Sequence, residues 1–337
     1  MESSLVKEYK ENLTNEFIKA LEEKGLDWKK DWFDNFSICE NAYGKGYNLL
    51  NNFILSKFME KHSFSDNRFF TYKQAEKMGY KVRKGEKSIA ILQKIPKLTD
   101  RDGKFRSVTW KQYYNRDLLD SKIFDKNNIE KETITQQVVY LFNAEQLDGI
   151  ELKPKNTLYN NGENMVNDSY AVKVISEEMG VPIINREQDS LFDKGAYYRQ
   201  EEDKIYLPNV ERFKSSWGYN ATCLHELAHA TGHETRLNRE TLKDYHKDIK
   251  IRAQEELVAE VTSAYMGIHI KNIDKITEED DITNHKAYIK NWSEVLKENK
   301  NLIFDAFAKA DKATEFLTNV LEQGIIKRQV QAQEQII

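Results

Sequence analysis

Apolar side chains recur at steps of four near the start of the chain, at Leu5, Tyr9, Leu13, Phe17 and Leu21. This spacing predicts an amphipathic helix over residues 4–24, ended by Gly25. A turn at Gly44 and Gly46 then precedes a second predicted helix at 47–58.

The pattern changes over the next hundred residues to short alternating segments. It predicts a short helix at 72–78, a basic turn at 83–86 and strands at 88–95, 107–114 and 137–143. Asp102-Gly103 fits a hairpin turn between the first two strands. These elements predict a small α+β domain over residues 1–151.

Residues 152–169 are rich in asparagine, glycine and charge, which predicts a linker. Beyond it, the second predicted domain covers 170–325 and is mainly helical with a short sheet. Its expected helices and strands are 170–179 (ended by Gly180), 182–185, 196–199, 203–208, 284–298 and 301–322, besides those that carry the motifs below. The glutamine-rich residues 326–337 are expected to be disordered.

The most informative motif is HExxH at His225, Glu226 and His229. On a helix these two imidazoles lie about 40° apart and roughly 6 Å along the axis, so both can bind one metal ion. Glu226 would lie beside the ion, where a carboxylate can take a proton from an activated water molecule. The surrounding residues are apolar, and two histidines and a glutamate in a buried helix are costly unless a metal satisfies them.

A catalytic zinc site needs a third protein ligand. His233 lies a further helical turn away and cannot reach the ion, so we expect a cap or surface residue there, with Gly232 ending the helix. On the next predicted helix, Glu256 and Glu260 share a stripe with small residues, at Ala253, Ala264 and Gly267.

We interpret Glu256 as the third ligand and Glu260 as the acid that orients a ligand histidine, although the reverse assignment stays open. The spacing of the two acids resembles that of gluzincin peptidases. Glu255 lies about 100° around the helix and is expected to be a solvated charge.

Composition narrows the class of protein. The 337 residues carry a net charge of −4, and no apolar run approaches the ~18 residues that span a bilayer, so we expect a cytoplasmic protein. The two cysteines, Cys39 and Cys223, are expected to be free thiols.

Positive charge is concentrated between Arg68 and Lys111, where 13 side chains are basic and four are acidic. Aromatic residues interleaved with these lysines suit single-stranded nucleic acid, although many of them are expected to be core.

Several segments together resemble one family. YGKGYN at 43–48 and TYKQAEKMGYKVRKGEKS at 71–88, with Trp28 and Trp32, resemble the N-terminal single-stranded DNA-binding domain of ArdC-type antirestriction proteins. HELAHATGHETRLNRE at 225–240 and AQEELVAE at 253–260 resemble the zincin-like metallopeptidase domain of those proteins.

The resemblance implies a protein of plasmids or other mobile elements that binds incoming single-stranded DNA and counters restriction. It implies a divalent metal, zinc or another ion such as manganese, on His225, His229 and Glu256, with Glu226 as general base. The DNA-binding candidates that it implies are Tyr43, Gly44, Lys45, Gly46, Tyr47, Asn48, Lys73, Gln74, Arg83, Lys84 and Lys87.

Two functions stay open at this point. In one, the protein is a peptidase that cleaves a host restriction or DNA-processing protein; in the other, it only coats DNA and its metal site is structural. Retention of Glu226 favours the first, since a structural zinc site has four protein ligands and no general base. For oxyanion stabilisation, four tyrosines qualify equally: Tyr197, Tyr198, Tyr265 and Tyr288.

Overall fold

The computed structural model describes residues 3–24, 38–120, 124–153, 169–186, 195–213, 216–274 and 296–334. Some predictions fall outside these ranges: the helix stop at Gly25, most of the linker, most of the helix at 284–298, and Tyr288.

Nine α-helices lie within the described residues: α1 (Ser4–Lys24), α2 (Leu49–His62), α3 (Tyr72–Lys77), α4 (Trp110–Tyr114), α5 (Tyr170–Met179), α6 (Ser216–Ala230), α7 (Glu240–Lys243), α8 (Ile249–Asp274) and α9 (Leu302–Glu334). The strands in the same residues are β1 (Glu40–Asn41), β2 (Arg68–Phe70), β3 (Lys81–Val82), β4 (Ile89–Asp100), β5 (Phe105–Ser107), β6 (Ile129–Asn143), β7 (Leu147–Asp148), β8 (Ile183–Asn185), β9 (Tyr197–Arg199) and β10 (Lys204–Leu207). The class is therefore mixed helix and sheet, as the sequence predicts.

The chain forms two compact units, and they do not follow one boundary near residue 151. The first unit contains residues 39–46 and 61–154 together with the start of α1. Residues 47–60, which include most of α2, belong to the second unit. The reason is local packing: the Leu49 amide donates to Asp311 Oδ1 at 2.8 Å, and the ring centroids of Phe53 and Phe307 lie 5.7 Å apart.

The first unit is built on a five-stranded sheet of order β1-β2-β6-β4-β5. Its main feature is the long antiparallel pair of β4 and β6, in register from Ile89 opposite Leu141 to Thr99 opposite Lys131. The short strands β1 and β2 are parallel, so the loop after β1 and helix α3 after β2 leave from the same end of the sheet.

The second unit is mainly helical. Helix α6 packs on α8, and α8 packs on the long helix α9. Gly267 on α8 makes this possible, because a Cβ there would lie 2.5 Å from the Trp217 ring on α6. The predicted stripe of small residues thus does allow close approach. A three-stranded sheet, β8-β10-β9, lies beside α6, and β9 is one of its two edge strands.

Two predicted elements differ from the structure. The strand expected at 107–114 ends at Ser107, and Trp110–Tyr114 is helix α4. The cause is a capping box in which Thr109 and Gln112 satisfy each other's backbone N–H groups. The expected disordered tail is helical as far as Glu334. There Arg328 forms ion pairs with Glu177 and Glu178 of α5, at 2.6 and 2.9 Å.

None of the described helices combines the length and the apolar content that crossing a membrane requires.

Candidate metal centre

Helix α6 places the HExxH residues inside the second unit. His225, Glu226 and His229 are all buried, between apolar neighbours such as Leu224 and Leu227. The helix ends at Ala230, two residues before the C-cap predicted at Gly232. Gly232 has a different role, because a Cβ there would lie 2.8 Å from the guanidinium of Arg239. His233 lies beyond the helix, and its Nδ1 pairs with the Thr235 hydroxyl at 2.9 Å.

Three donor groups converge at one point. The Nε2 atoms of His225 and His229 lie 3.2 Å apart. The carboxylate of Glu256, on α8, lies 3.4 Å from the first of these atoms and 3.8 Å from the second. Ligands about 2.0–2.1 Å from a tetrahedral zinc ion lie about 3.4 Å from one another, so this spacing fits such an ion. The group His225, His229 and Glu256 is the one set in the described residues with the spacing of a metal site.

Each imidazole also has a carboxylate on its other nitrogen. Nδ1 of His225 lies 3.5 Å from Glu260 Oε1, and Nδ1 of His229 lies 3.2 Å from Glu255 Oε1. The first two atoms are close but not hydrogen-bonded, so the orienting role of Glu260 stays a prediction. The second contact corrects the interpretation of Glu255 as a solvated charge, because Glu255 is fully buried.

Glu255 is buried because Arg239 reaches it from the loop before α7. The guanidinium donates two hydrogen bonds to the carboxylate, from Nη2 at 2.5 Å and from Nε at 3.1 Å. The Thr241 hydroxyl adds a third bond at 2.5 Å. Burial alone would raise the pKa of Glu255, but Arg239 and His229 lower that pKa to about 2. Arg239 also donates to the Ala228 carbonyl at 2.8 Å, so it connects Glu255 to α6 as well.

Glu226 lies between the metal-binding group and the edge strand. Its carboxylate accepts a hydrogen bond from the Tyr198 N–H of β9. Burial raises the pKa of Glu226, while the two imidazoles and this N–H act in the opposite direction. A carboxylate whose pKa is raised in this way is suited to accept a proton near neutral pH.

The structure adds Tyr245, which the sequence interpretation missed. Its hydroxyl donates to Glu256 Oε1, and its ring lies edge-on to His229 at 5.9 Å between centroids. Arg252 also contacts this ring, with the guanidinium carbon 5.1 Å from the ring centroid. No motif marks this tyrosine, since it lies in the short connection between α7 and α8.

The tyrosines predicted from the sequence are placed differently. Tyr198 bonds Asp203 through its hydroxyl at 2.6 Å, so its backbone rather than its phenol meets Glu226. Tyr197 stacks on Tyr206 at 5.3 Å, and the Tyr265 ring lies 5.3 Å from that of His269.

The charges of the cluster favour a cation. Glu226, Glu256 and Glu260 are buried around the two imidazoles, and Arg239 balances only Glu255. Burial would lower the pKa of His225, but Glu260 and Glu256 raise it to about 9. A divalent ion bound to these ligands would therefore compete with protonation of His225. The donor set of two imidazoles and one carboxylate fits a zinc ion with an open fourth position.

The DNA-binding candidates lie on the first unit, except for Tyr47 and Asn48. Tyr43, Lys45, Lys73, Lys84 and Lys87 are exposed. Gly44 has φ of 75°, which the tight turn after β1 requires; Gly46 bridges Glu40 in the same turn.

Three other candidates are used within the protein. Gln74 completes the N-terminal capping box of α3 with Thr71. Arg83 pairs with Glu86 at 3.0 Å and also donates to the Glu145 carbonyl. The Asn48 side chain accepts from the Asn51 amide at 2.9 Å, at the start of α2.

Comparison with known proteins gives two family matches. Residues 7–142 match the N-terminal domain of the anti-restriction factor ArdC, and residues 175–309 match a zincin-like metallopeptidase family. Crystal structures of the antirestriction protein ArdC from plasmid R388 have the same fold over 93% of this chain. The metal-free form gives a TM-score of 0.68 at 24% identity over 98% of that protein. The Mn(II)-bound form gives a TM-score of 0.66 at 25% identity over 97% of that protein. The chain belongs to the ArdC-type antirestriction family.

Curated relatives include longer proteins. A DNA primase TraC of Escherichia coli is 30% identical over 332 residues, which is 97% of this chain and 28% of that protein. The chain therefore spans little more than a quarter of this relative's length. An uncharacterized protein, y4eC of Sinorhizobium fredii, is 25% identical over 314 residues, with about nine-tenths of both chains covered. ArdC-type architecture thus occurs both alone and within a larger polypeptide.

Proposed function

We propose that this is an antirestriction protein of a mobile element that binds single-stranded DNA and hydrolyses a peptide bond at a metal centre. The observation that carries the proposal is the convergence of His225, His229 and Glu256 with a buried Glu226 beside them. A structural site would be closed by a fourth protein ligand and would leave Glu226 buried at a cost.

The metal is proposed to be zinc, because two imidazoles and one carboxylate are a common catalytic zinc set. Manganese is the alternative, since the ArdC protein of plasmid R388 has a Mn(II)-bound structure. When bound, the ion would polarise a substrate carbonyl and lower the pKa of a water molecule to about 7.

The protein's own side chains would then have separate roles in peptide hydrolysis. Glu226 would take a proton from the attacking water and give it to the leaving amine. Tyr245, whose hydroxyl already lies beside Glu256, would donate a hydrogen bond to the oxyanion of the transition state. Glu260 and Glu255 would hold the two ligand imidazoles through Nδ1.

A peptide would bind along β9. This strand is at the edge of its sheet, and its Tyr198 N–H bonds the Glu226 carboxylate. An extended peptide added to this edge would therefore pass directly beside the general base. We propose a host restriction or DNA-processing protein as the substrate.

DNA would bind the first unit at the end of the sheet where β1 and β2 finish. The loop with Tyr43 and Lys45 and the start of α3 with Lys73 leave from this same end. Exposed lysines meet phosphates, and an exposed ring such as Tyr43, 68% accessible, can stack on a base. We propose that Lys84 and Lys87 extend this surface, whereas Arg83 and Gln74 maintain its shape.

The test is plasmid transfer into a restricting recipient with the Glu226→Gln variant. Glu234→Gln is the matched control, because Glu234 is an exposed acid shortly beyond the same helix. Both variants must first be shown to fold, bind metal and bind single-stranded DNA. Loss of protection by Glu226→Gln alone supports hydrolysis. Unchanged protection contradicts it and favours the second candidate, a DNA-coating protein with a structural metal.

A further inference from the structure

The outer half of the long β4–β6 pair has one face that is not used by the proposed DNA surface. Residues paired across an antiparallel ladder lie on the same face, and alternate residues lie on opposite faces. Lys97 pairs with Thr133, and Thr99 pairs with Lys131. Neighbouring β5 adds Phe105, opposite Thr99, to this face. One face thus carries lysines, threonines and a phenylalanine.

A concave surface of about 540 Å³ lies here. On this face its lining is formed by Lys97, Lys131, Thr99, Thr133 and Thr135, and no carboxylate lines the concavity. The nearby acid Glu132 lies on the opposite face, opposite Leu98, where it pairs with Arg116 at 2.8 Å. The concavity therefore presents ammonium and hydroxyl donors without a compensating anion in its lining.

Phe105 gives this basic face an aromatic group. It is 63% exposed, although a phenylalanine is normally buried, and the Lys97 ammonium lies 3.4 Å from its ring centroid. An exposed ring next to cations is the combination that binds single strands, because bases stack on the ring while phosphates meet the cations.

We propose that this hairpin face, defined by Lys97, Lys131, Thr99, Thr133 and Phe105, is a second contact surface for single-stranded nucleic acid. The inference rests on the proposed function, in which the first unit binds single-stranded DNA, and adds a separate surface to it. Lys97 and Lys131 contact phosphates, the threonine hydroxyls donate to phosphate or sugar oxygens, and Phe105 stacks on a base.

The two surfaces are well separated along the sheet. Strand β2 pairs with β6 at Phe142, nine residues from Thr133. At a rise of about 3.3 Å per residue this is about 30 Å. An extended single strand advances more per nucleotide than the about 3.4 Å of duplex DNA, so about nine nucleotides is the upper limit for covering that length. Short oligonucleotides can therefore occupy only one surface at a time, whereas long ones can contact both.

The experiment measures the affinity of the full chain for labelled oligothymidylates of about 3 and about 24 nucleotides at several salt concentrations. The variants are Lys97→Gln/Lys131→Gln and Phe105→Ala. Lys111→Gln is the control, because Lys111 is exposed on α4, and Trp110 and Tyr113 of α4 lie against the opposite face. For the long oligonucleotide, the double variant should reduce the slope of log affinity against log salt by about 1.4, and Phe105→Ala should weaken binding about 5- to 100-fold.

The short oligonucleotide should respond much less to either variant. Melting temperatures should change little, because Lys131 and Phe105 are exposed and Lys97 is half-buried. Two results overturn the inference while leaving the proposed function intact. In the first, wild type binds but the double variant has an unchanged slope, so the lysines only protect a sheet edge from pairing. In the second, both lengths lose affinity equally, so the face is not a second surface. If wild type binds no single strand, the proposed function itself fails.

Discussion

The metal centre of the second unit and the basic surfaces of the first unit represent opposite kinds of site. At the metal centre of the second unit, the charged side chains of Glu255, Glu256 and Arg239 are buried and hydrogen-bonded, so their geometry is set by the fold. In the first unit, Lys45, Lys73 and Lys84 are exposed. A buried charged residue must have a partner, because an unpaired buried charge would cost too much free energy. An exposed lysine needs no partner within the protein, so its position alone does not show what it binds. The DNA-binding role of these lysines must therefore be tested by measuring binding.

Because the charged side chains of the metal centre are buried, we expect substitutions there to have the largest effects on the free energy of unfolding. Glu255→Ala should cost about 3–5 kcal/mol in free energy of unfolding, because it leaves the buried guanidinium of Arg239 unpaired. Denaturation with urea in the presence of a chelator measures this cost. In a double-mutant cycle, Glu255→Ala with Arg239→Ala should cost clearly less than the sum of the single variants. Additive costs would show that the pair is not coupled.

The partly exposed ion pair of Asp203 and Arg236 should have an intermediate effect on the free energy of unfolding. Asp203 accepts from Arg236 at 2.9 Å and from Tyr198 at 2.6 Å. Burial would raise the pKa of Asp203, but these donors lower it below its ordinary value. A lowered pKa in the folded state contributes stability above the unfolded pKa, near 4, and that stability is lost as pH falls through the folded pKa.

Asp203→Asn should therefore cost about 1–2 kcal/mol at pH 7, and this cost should decrease as pH falls below about 4. Thermal unfolding of both proteins across this pH range checks the prediction. An equal difference at pH 7 and pH 3 would rule out an ionised Asp203 as the cause.

The smallest effect on stability is expected at the basic turn of the first unit. Lys84→Gln should leave the melting temperature unchanged and reduce the salt slope of single-stranded DNA binding by about 0.7. Arg83→Gln is the matched change: it should lower the melting temperature slightly, because Arg83 bonds Glu86 and the Glu145 carbonyl. Titrations at several salt concentrations separate the two. A reduced salt slope for Arg83→Gln with an unchanged slope for Lys84→Gln would instead indicate that Arg83 contacts the DNA.

The sequence predicted what short-range patterns determine. The four-residue spacing of His225 and His229 and the apolar residues around them were sufficient for the buried helix α6. The stripe of small residues on α8 correctly indicated close packing, which Gly267 provides against Trp217. The glycine at 180 ends α5 in the left-handed conformation, with φ of 67°, as its position predicted.

Long-range contacts explain most of what the sequence could not provide. Glu255 lies on the expected solvent side of α8, but Arg239 from the loop before α7 and Thr241 from α7 cover that side. Tyr245 reaches Glu256 from an irregular connection with no recognisable pattern. The tail is helical because Arg328 pairs with acids 150 residues earlier in the chain. At α4 the determining feature is local. The capping box of Thr109 and Gln112 can be read in the sequence, and it outweighs the aromatic composition that suggested a strand.

The most direct test of the account is zinc affinity, measured by calorimetry on wild type and on the Glu256→Gln, Glu260→Gln and Glu226→Gln variants. The account predicts one ion per wild-type chain and loss of binding with Glu256→Gln. Glu260→Gln should weaken binding by about 10- to 100-fold as an orienting residue, and Glu226→Gln should keep the ion. Retention of zinc by Glu256→Gln with loss in Glu260→Gln would reverse the two acids. No zinc binding by wild type would contradict the metal centre itself.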